Sequence, residues 1–554
     1  MIGLAVHSTE QDIVAEFFEL FKTPWEYYQK GRHYDVVICT QEEGGDADAK
    51  LVLLYSSGRL SFDAEKGSAV KNCQNGAVLS HDGQKIPLYG NAASFSANQF
   101  FALKEDVTNE PMAFLSNSGQ RQILRIGYDL FQEVRLLLTV GQPPANAGKA
   151  TLERHIALLR DFITRSGLPL IEIPPVPDGY GFMVCLTHDL DHPVLRNHCC
   201  DHTMFGFLHR AIIGSFINIC RGRKSARDFC RNWLAAAKLP FVYLGMAKDP
   251  WRGFDRYLEI EAGLGATYFV IPKKNYPGRS ANGNGPALRA ARYTVEDIKP
   301  ELEKAVLNGN EVALHGLDAW LDSAKANEER GEVSRSVGAT KAGVRMHWLF
   351  FDGKSPAVLD RAGFLYDSSF GYNETVGYRA GTAQAYRPPG CENLLELPLL
   401  IMDTALFYPS HLNLNDEDAR KVASLFVEEI GQFGGALTIN WHDRSIAPER
   451  LWEDFYRKLI AELKIKQAWF PTATDAVSWF KKRRSVTFGS IKMENGVVRM
   501  NVSAKEEPAL PGLRVRVHKP RAQSLSEAVR SNSSAKYVDI GFRTNLETSI
   551  AISA

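Results

Sequence analysis

The stretch Met183-Val-Cys-Leu-Thr-His-Asp-Leu-Asp-His192 decides the fold of the central part of this chain. It begins as a short apolar run, which is typical of a buried strand, and it ends in two carboxylates flanked by two imidazoles. A strand of a parallel sheet that delivers catalytic groups at its carboxyl end has this pattern. We therefore predict that Asp189 and Asp191 lie at the edge of a parallel sheet and belong to a functional site.

Downstream of this stretch, apolar strand patterns alternate with helical patterns up to about residue 484. The predicted strands are 182–186, 266–271, 311–314, 343–346, 395–399 and 436–440, and the clearest helical patterns are 295–307, 419–433 and 448–463. This alternation predicts an α/β fold with a parallel sheet or barrel. A helix-rich insertion at about 197–244 follows the first strand and is expected to cover the strand ends as a lid.

The sequence pattern divides the chain into three segments. Residues 1–177 mix apolar runs with helical patterns and predict an N-terminal α/β accessory domain. Pro174-Pro-Val-Pro-Asp-Gly179 is the predicted linker, because adjacent prolines fix φ and cannot continue a helix or a central strand. Residues 178–484 are the predicted catalytic domain, and 485–554, with short β patterns, a small β-rich C-terminal region. The basic run Lys481-Lys-Arg-Arg484 predicts a solvated helix end.

The charge balance of the chain excludes one broad class of function. Its 554 residues include 65 Lys and Arg against 64 Asp and Glu, which argues against a dedicated nucleic-acid-binding protein. Residues 1–14 contain Glu10 and Asp12 and lack the basic start and apolar run of a secretory signal. The most apolar stretch, 205–220, contains Arg210 and is shorter than the ~20 residues of a membrane span. We therefore predict a cytoplasmic protein without a transmembrane segment.

Other predicted strands also end in polar side chains that would meet the two aspartates at one sheet edge. These residues are His315 and Asp318 after 311–314, Arg345, His347 and Trp348 at and after 343–346, and Trp441 and His442 after 436–440. A carboxylate with an imidazole suits Zn²⁺ or a similar divalent ion, and a catalytic site leaves one position open for water. A second carboxylate can take the proton of that water, and a histidine can protonate a departing amine. The sequence thus favours metal-assisted hydrolysis of a C–N or ester bond.

These motifs resemble, in order, those of the polysaccharide deacetylases, which are the family-4 carbohydrate esterases. The matching stretches are Thr187-His-Asp-Leu-Asp191, Glu311-Val-Ala-Leu-His-Gly-Leu-Asp318, Gly343-Val-Arg-Met-His-Trp348, Gly363-Phe-Leu-Tyr-Asp-Ser-Ser369 and Leu437-Thr-Ile-Asn-Trp-His442. The resemblance covers about 182–480. It is strongest to a divergent branch that opens with Thr-His-Asp-x-Asp-His and is found beside enzymes of surface-glycan biosynthesis.

The resemblance implies a fold, an activity and a role for each matching residue. The fold would be a distorted (β/α)-barrel with about seven strands. Asp189 would be the general base, Asp191 and His315 metal ligands, Arg345 the residue that orients the base, and His442 the general acid. The implied activity is metal-dependent removal of an N-acyl group, acetyl above all, from a sugar or glycan intermediate, with Zn²⁺ as the expected ion.

One position departs from the family pattern. The second motif of the family has another histidine four residues after the first, where this chain has Ala319. Three replacements are open for the missing ligand: Asp318 at i, i+3 from His315, His188 or His192 beside the first motif, and His347 from the next strand. We predict Asp318, although an aspartate at this place also suits a helix cap. A site that has lost its metal is a further reading of the same alanine.

Six residues are predicted to contact the substrate. They are His188, His192, His347, Trp348, Arg379 and Trp441. Arg379 suits a carboxylate or phosphate, and a tryptophan can stack on a sugar face, although core packing explains a single tryptophan equally well. Two other functions fit the same residues: hydrolysis of other C–N bonds such as cyclic imides, and non-catalytic glycan binding with a degenerate metal site.

Overall fold

The computed structural model describes residues 1–40, 47–73, 76–96, 103–119, 121–220, 225–280, 283–338, 343–494, 496–521, 525 and 537–551. The chain forms two compact units. The first unit contains Met1–Gly179, Tyr378–Pro389 and Trp479–Ala554, and the second contains Tyr180–Gly377 and Gly390–Ser478. The C-terminal segment is therefore part of the same unit as the N-terminal segment, whereas the sequence predicts two separate regions.

Strand pairing explains why the two ends of the chain share the first unit. Leu170–Glu172 pairs antiparallel with Leu513–His518, which pairs in turn with Tyr537–Phe542. His518 Nε2 also lies 2.8 Å from Glu172 Oε1, and both side chains are buried. Pairing between residues so distant in sequence leaves no local signal, so a pattern along the chain cannot reveal it.

The first unit also contains a six-stranded sheet with the strand order Ala113–Ser118, Arg121–Ile126, Ala49–Tyr55, Tyr34–Cys39, Ile2–Ala5 and Trp25–Tyr27. The shorter sheets of this unit use Ala69–Cys73, Val78–His81, Gln84–Pro87, Ala92–Ser96, Lys104–Glu105, Thr487–Glu494, Val497–Ser503 and Asn545–Ala551. Its α-helices are Gln11–Phe21, Ser61–Glu65, Leu130–Thr139 and Thr151–Arg165, and Ala473–Arg484 begins in the second unit and ends in the first.

The basic run at the end of the last helix is not solvated as predicted. Arg483 is 2% exposed, and its guanidinium donates to the main-chain carbonyls of Ile173, Glu19 and Leu20. Main-chain carbonyls accept hydrogen bonds from the buried guanidinium. A run of basic residues in the sequence does not show that such partners exist. The prediction of a solvated helix end is therefore wrong for this arginine.

The second unit is built on eight parallel strands, which we number β1 to β8 in chain order. They are β1 (Met183–Leu190), β2 (Ala266–Val270), β3 (Glu311–Gly316), β4 (Gly343–Met346), β5 (Tyr366–Asp367), β6 (Leu395–Glu396), β7 (Ile401–Met402) and β8 (Ala436–Asn440). The strand order is β6-β5-β4-β3-β2-β1-β8-β7, and every neighbouring pair is parallel. All eight residues of β1 are buried, as expected for a central strand covered on both faces.

The sheet is strongly curled, because its two edge strands are neighbours in sequence. A flat sheet of eight strands would separate β6 from β7 by about 34 Å, at about 4.8 Å per strand. The connection from Glu396 to Ile401 spans at most about 19 Å, at about 3.8 Å per residue. Leu397 donates its N–H to Asp367 O on one side, and Leu400 donates to Thr438 O on the other. These few residues hold the two edges of the sheet together.

Helices cover the curled sheet and form the predicted insertion. The outer helices are Phe254–Ile260, Lys299–Leu307, Ser323–Val337, Ser355–Arg361, Asp403–Phe407, Asp416–Phe433 and Glu453–Ile465. The insertion consists of a first helix, His202–Cys220, with a π-helical segment at His209–Gly214, and a second helix, Ala226–Tyr243. Among the described residues, only the first insertion helix is long and apolar enough to cross a membrane, by length and composition alone.

Candidate active site

The candidate site lies in a cavity of about 520 Å³ at the carboxyl ends of the strands. Six of the lining residues belong to the motifs at these strand ends: Asp189, Asp191, His315, His347, Trp348 and His442. Because parallel strands all end at the same edge, residues far apart in the sequence converge here. The cavity therefore gathers carboxylates and imidazoles from β1, β3, β4 and β8.

Three buried side chains place one ligand atom each within a small space. Asp191 Oδ1 lies 3.4 Å from His315 Nε2 and 3.3 Å from His347 Nδ1. The two imidazole nitrogens lie 3.0 Å apart. Ligand atoms at 2.0 to 2.1 Å from a tetrahedral zinc ion are about 3.3 Å from one another. The group formed by Asp191, His315 and His347 could therefore hold a divalent metal ion.

The hydrogen bonds on the far side of each ring assign the tautomers. His315 Nδ1 lies 3.0 Å from the carbonyl oxygen of Arg345, and His347 Nε2 lies 3.1 Å from that of Arg289. A carbonyl accepts only, so each of these ring nitrogens carries the proton. Burial also lowers the pKa of His347 to about 4, although Asp191 acts to raise it, which keeps the ring neutral at pH 7. With these tautomers two lone pairs and a carboxylate oxygen face one another, and a bound cation would stabilise this arrangement.

Asp189 lies beside this group in a different environment. Arg345 Nη1 donates to Asp189 Oδ1 at 3.0 Å, and Asn440 Nδ2 donates to Oδ2 at 2.8 Å. Burial by itself raises the pKa of Asp189, but the neighbouring imidazole of His315 and the guanidinium of Arg345 outweigh it and hold the pKa below its ordinary value. The carboxylate is therefore ionised and held in place, and it can accept a proton from a neighbouring water.

Arg345 is itself fixed by partners that the sequence did not identify. Its Nε and Nη2 donate to the carbonyl and hydroxyl oxygens of Ser368, at 3.0 and 2.9 Å, and Nη1 also donates to Thr187 Oγ1 at 2.8 Å. The guanidinium lies 4.4 Å from the ring centre of Phe269. Ser368 follows β5, so the Asp-Ser-Ser stretch at 367–369 serves to hold the arginine that contacts Asp189.

His442 is paired with a carboxylate that the sequence analysis did not single out as its partner. Its Nδ1 lies 2.6 Å from Asp403 Oδ1, and its main-chain N–H donates to Asp403 Oδ2 at 2.7 Å. Ser445 also donates its hydroxyl to Asp403. Burial by itself lowers the pKa of His442, but the charge of Asp403 outweighs it and raises the pKa to about 10. His442 is therefore a protonated imidazolium whose Nε2 lies 3.9 Å from Asp191 Oδ2.

A signal for Asp403 was present in the sequence. It follows the short apolar strand β7, as the other polar site residues follow their strands. The sequence analysis did not identify this strand, because β7 is two residues long and has no detectable period. Applying the strand-end rule to this short strand would have predicted the contact.

The structure does not bring all the predicted site residues to the cavity. His188 Nδ1 lies 2.8 Å from the carbonyl oxygen of Trp441, and its Nε2 lies 2.9 Å from Glu261 Oε1, so its ring faces the protein interior. Trp441 is fully buried and stacks on Phe455 and Tyr456, with ring centres 5.7 and 4.9 Å apart. Neither residue lines the cavity. Trp441 packs in the core, which is the alternative explanation for a single tryptophan.

Asp318, the predicted third ligand, is engaged elsewhere. Its carboxylate accepts hydrogen bonds from the Tyr276 hydroxyl and from the main-chain N–H of Arg279, both at 2.6 Å. It does not belong to the group of three converging ligand atoms, in which His347 supplies the remaining donor. Arg379, a predicted substrate contact, belongs to the first unit and does not line the cavity.

His192 and Trp348, two of the predicted substrate contacts, line the cavity. Trp348 is 37% exposed, and it adopts a left-handed conformation with φ +58°, followed by Leu349 with φ +53°. Two successive residues that are not glycine adopt the left-handed conformation here. This stores backbone strain, which is frequent at functional sites. The strained turn begins directly after His347 and sets the direction in which the chain leaves the metal group.

Comparison with known proteins gives distant structural likenesses only. No family model matches the chain, and no curated protein matches it. A candidate polysaccharide deacetylase from Mycobacterium smegmatis is 18% identical, with a TM-score of 0.35 over 56% of this chain and 93% of that one. The Puue allantoinase is 16% identical, with a TM-score of 0.33 over 58% and 96%. A candidate polysaccharide deacetylase from Pseudomonas aeruginosa PAO1 is 15% identical, with a TM-score of 0.35 over 58% and 98%.

Proposed function

We propose that this chain is a metal-dependent hydrolase that removes a small acyl group from the nitrogen of a sugar or glycan intermediate. The observation that carries the proposal is the set of three ligand atoms that face one another within 3.4 Å. It is flanked by an ionised carboxylate, Asp189, and by a protonated imidazole, His442. A base, a metal group and an acid in one cavity are the parts that amide hydrolysis requires.

Each residue has a defined task in this reaction. Asp191, His315 and His347 would hold the ion, which when bound polarises the amide carbonyl and increases the acidity of a water. Asp189 accepts the proton of the attacking water, and its hydrogen bonds from Arg345 and Asn440 fix its orientation. His442 donates its Nε2 proton to the departing amine.

The order of the motifs supports kinship with the distorted (β/α)-barrels of the polysaccharide deacetylases. In that family a second histidine follows the first by one helical turn, and this chain has Ala319 there. His347 replaces it from the neighbouring strand in the proposed site. The ligand set would then still contain two imidazoles and one carboxylate, which is a common set for catalytic zinc.

The experiment combines metal analysis with a substrate panel. The purified chain should contain about one zinc or similar ion, and it should release acetate from an N-acetylated sugar. Asp189→Asn should retain the metal and lower kcat by about 10²- to 10⁴-fold. Turnover of a cyclic imide without turnover of any N-acyl sugar would replace the proposed substrate class. Saccharide binding without stoichiometric metal would contradict the proposal that the chain is a metal-dependent enzyme.

A further inference from the structure

Three arginines line the cavity but have no task in the proposed reaction. Arg210 comes from the first insertion helix, and Arg444 and Arg450 follow β8. Arg450 is 5% exposed, and its guanidinium lies 4.9 Å from the ring centres of both Tyr408 and Trp452. Buried arginines normally have a partner for each donor, so the donors of these three side chains need to be accounted for.

Several of their donors have no partner among the described residues. Arg450 donates through Nη2 to the Tyr408 hydroxyl, but its Nε and Nη1 are buried without a hydrogen bond. Arg210 Nε is also buried without a partner. Leaving a buried charged donor unsatisfied is costly, and a bound anion would remove the cost.

The nearby carboxylates are engaged by other groups. Glu449 lies next to Arg450 in sequence, and its Oε1 accepts the indole N–H of Trp251 at 2.9 Å. Asp403 is occupied by His442 and Ser445. Asp443, next to Arg444, already accepts the main-chain N–H groups of His192 and Arg444. The three guanidinium groups are therefore near carboxylates that are engaged elsewhere, which leaves room for a further anion on this side of the cavity.

We propose that Arg210, Arg444 and Arg450 form a subsite for a phosphate or phosphodiester group of the substrate. Guanidinium groups bind phosphate through paired, charge-assisted hydrogen bonds, and three of them from two segments suit a tetrahedral anion. The inference rests on the proposed function to the extent that the same cavity contains the metal group. The substrate would then be an N-acylated sugar that carries a phosphate, either free or esterified to a lipid.

The test measures binding apart from turnover. Titration calorimetry with inorganic phosphate and with an N-acetylated sugar 1-phosphate should show binding that Arg450→Met and Arg444→Gln weaken by about tenfold or more. The control is Arg457→Gln, an arginine 53% exposed on Glu453–Ile465. In kinetics the cavity variants should raise KM for phosphorylated substrates and leave KM for the unphosphorylated sugar unchanged.

The possible outcomes separate this subsite from the activity. Phosphate binding that the cavity variants do not weaken, or an equal rise of KM for both substrates, would overturn the subsite even if the hydrolase is real. A sugar 1-phosphate and a polyprenyl phosphate sugar, compared at equal concentration, identify the free or the lipid-linked source. Preserved phosphate binding without any hydrolysis would contradict the proposed function and leave the subsite standing.

An independent observation concerns the outer surface of the insertion. On the second insertion helix the residues Cys230, Trp233, Leu234, Ala237, Phe241 and Leu244 are exposed. At about 100° per residue they fall within one sector of about 100°. The buried residues Asn232, Leu239 and Val242 lie on the opposite side. The helix therefore has two apolar faces, of which one packs inward and the other faces outward.

The first insertion helix repeats this arrangement. Met204, Phe207 and Ala211 belong to a buried cluster with Leu239 of the second helix. Phe205, Ile213, Phe216 and Ile217 are exposed, three of them by more than half. Exposed aromatic and branched residues on both helices form a larger apolar surface than isolated surface residues would.

Basic residues border the outer face. Arg227, Arg231 and Lys238 are exposed and fall within about 40° of one another beside the apolar sector, and Lys248 is exposed after the helix. Residues 202–248 contain eight Lys and Arg against one acidic residue. An apolar face with aromatic residues and a basic border is typical of helices that lie in the interface of an anionic membrane.

We infer that the insertion binds the surface of an anionic lipid bilayer through this outer face. Thr203, Gly206 and Arg210 on the other side of the first insertion helix line the cavity. The helix pair would therefore hold the mouth of the cavity at the membrane surface. This inference stands on vesicle binding alone and does not depend on the hydrolase activity.

The test is cosedimentation with vesicles of phosphatidylcholine, with and without phosphatidylglycerol. The chain should bind the anionic vesicles, and Phe241→Ser with Leu244→Ser should lower the bound fraction by about tenfold. Leu425→Ser with Ile465→Ser, two exposed residues of the same unit, is the matched control. Arg227→Glu with Lys238→Glu should abolish the preference for phosphatidylglycerol.

Two results would overturn the membrane inference. The first is equal binding by the chain and by the Phe241 and Leu244 variant. The second is a stable dimer of the free chain that the same variant dissociates, measured by analytical ultracentrifugation, which would assign the face to a second copy. A blue shift of tryptophan fluorescence on vesicle addition that is lost in the Trp233→Phe variant would support membrane binding.

Discussion

Two groups of carboxylate and imidazole side chains lie in the same cavity, and the backbone gives them opposite chemistry. In the first group, which has three members, His315 and His347 donate their protons outward to carbonyl oxygens, so their lone pairs face Asp191. In the second group Asp403 accepts the main-chain N–H of His442, and the His442 ring nitrogen that faces Asp403 carries a proton. The hydrogen-bond partners of the rings thus determine whether the space between carboxylate and imidazole suits a metal ion or a proton.

The largest expected effect comes from removing a candidate ligand of the first group. His347→Ala should lower metal affinity by more than about 100-fold and abolish turnover, because two donors cannot hold a catalytic ion firmly. Metal content after dialysis against a chelator measures the effect. Asp318→Asn is the matched control and should keep its metal. A reversed result, with metal lost only in the Asp318 variant, would return the third ligand to Asp318.

The second group is tested through its pH dependence. The charge of Asp403 raises the pKa of His442 to about 10, so the acid stays protonated through neutral pH. Asp403→Asn removes that charge, and the pKa of His442 should fall, because burial alone lowers it. The rate should then decline at a lower pH than in the original chain, and kcat should drop by about 10- to 100-fold. An unchanged basic limb of the kcat/KM profile would remove His442 from the role of acid.

The smallest effect is expected from restoring the family histidine. Ala319→His should change metal affinity by less than about tenfold, because three donors already complete the protein's share of a four-coordinate site. Ala319→Leu controls for packing, since Ala319 is fully buried. Titration of the metal-free chain and its variants with zinc measures these metal affinities. Tight metal binding that appears only with the histidine would show that the natural site is degenerate.

The sequence predicted the strand ends better than the partners of the side chains. The strands at 311–314, 343–346 and 436–440 stand where their apolar patterns place them. The two-residue strands β5 and β7 were not predicted, because a run so short has no period to detect. With them the roles of Ser368 and Asp403 were missed, since both residues are positioned by these strands.

The spacing of residues along the sequence also could not decide whether Asp318 or His347 is the third candidate metal ligand. Asp318 is three residues from His315, and helical spacing made it the nearer candidate. The chain after β3 instead turns so that Asp318 accepts hydrogen bonds from Tyr276 and Arg279, while β4 lies beside β3 in register. His347 lies next to His315 because β3 and β4 are neighbours in the sheet. The residue pattern along a single strand does not show which strands are neighbours.

The short connection between β6 and β7 has a consequence for how the site would be lost. Leu397 and Leu400 join the two edges of the sheet, and Asp403 follows three residues later. The metal group is carried by β1, β3 and β4, away from this seam. Local opening of the seam would release Asp403 and leave His442 a weaker base, while the three candidate metal ligands stay assembled. For the proposed metal-loaded enzyme, mild denaturant should therefore stop proton delivery before it releases the ion, which gives an inactive but metal-loaded intermediate.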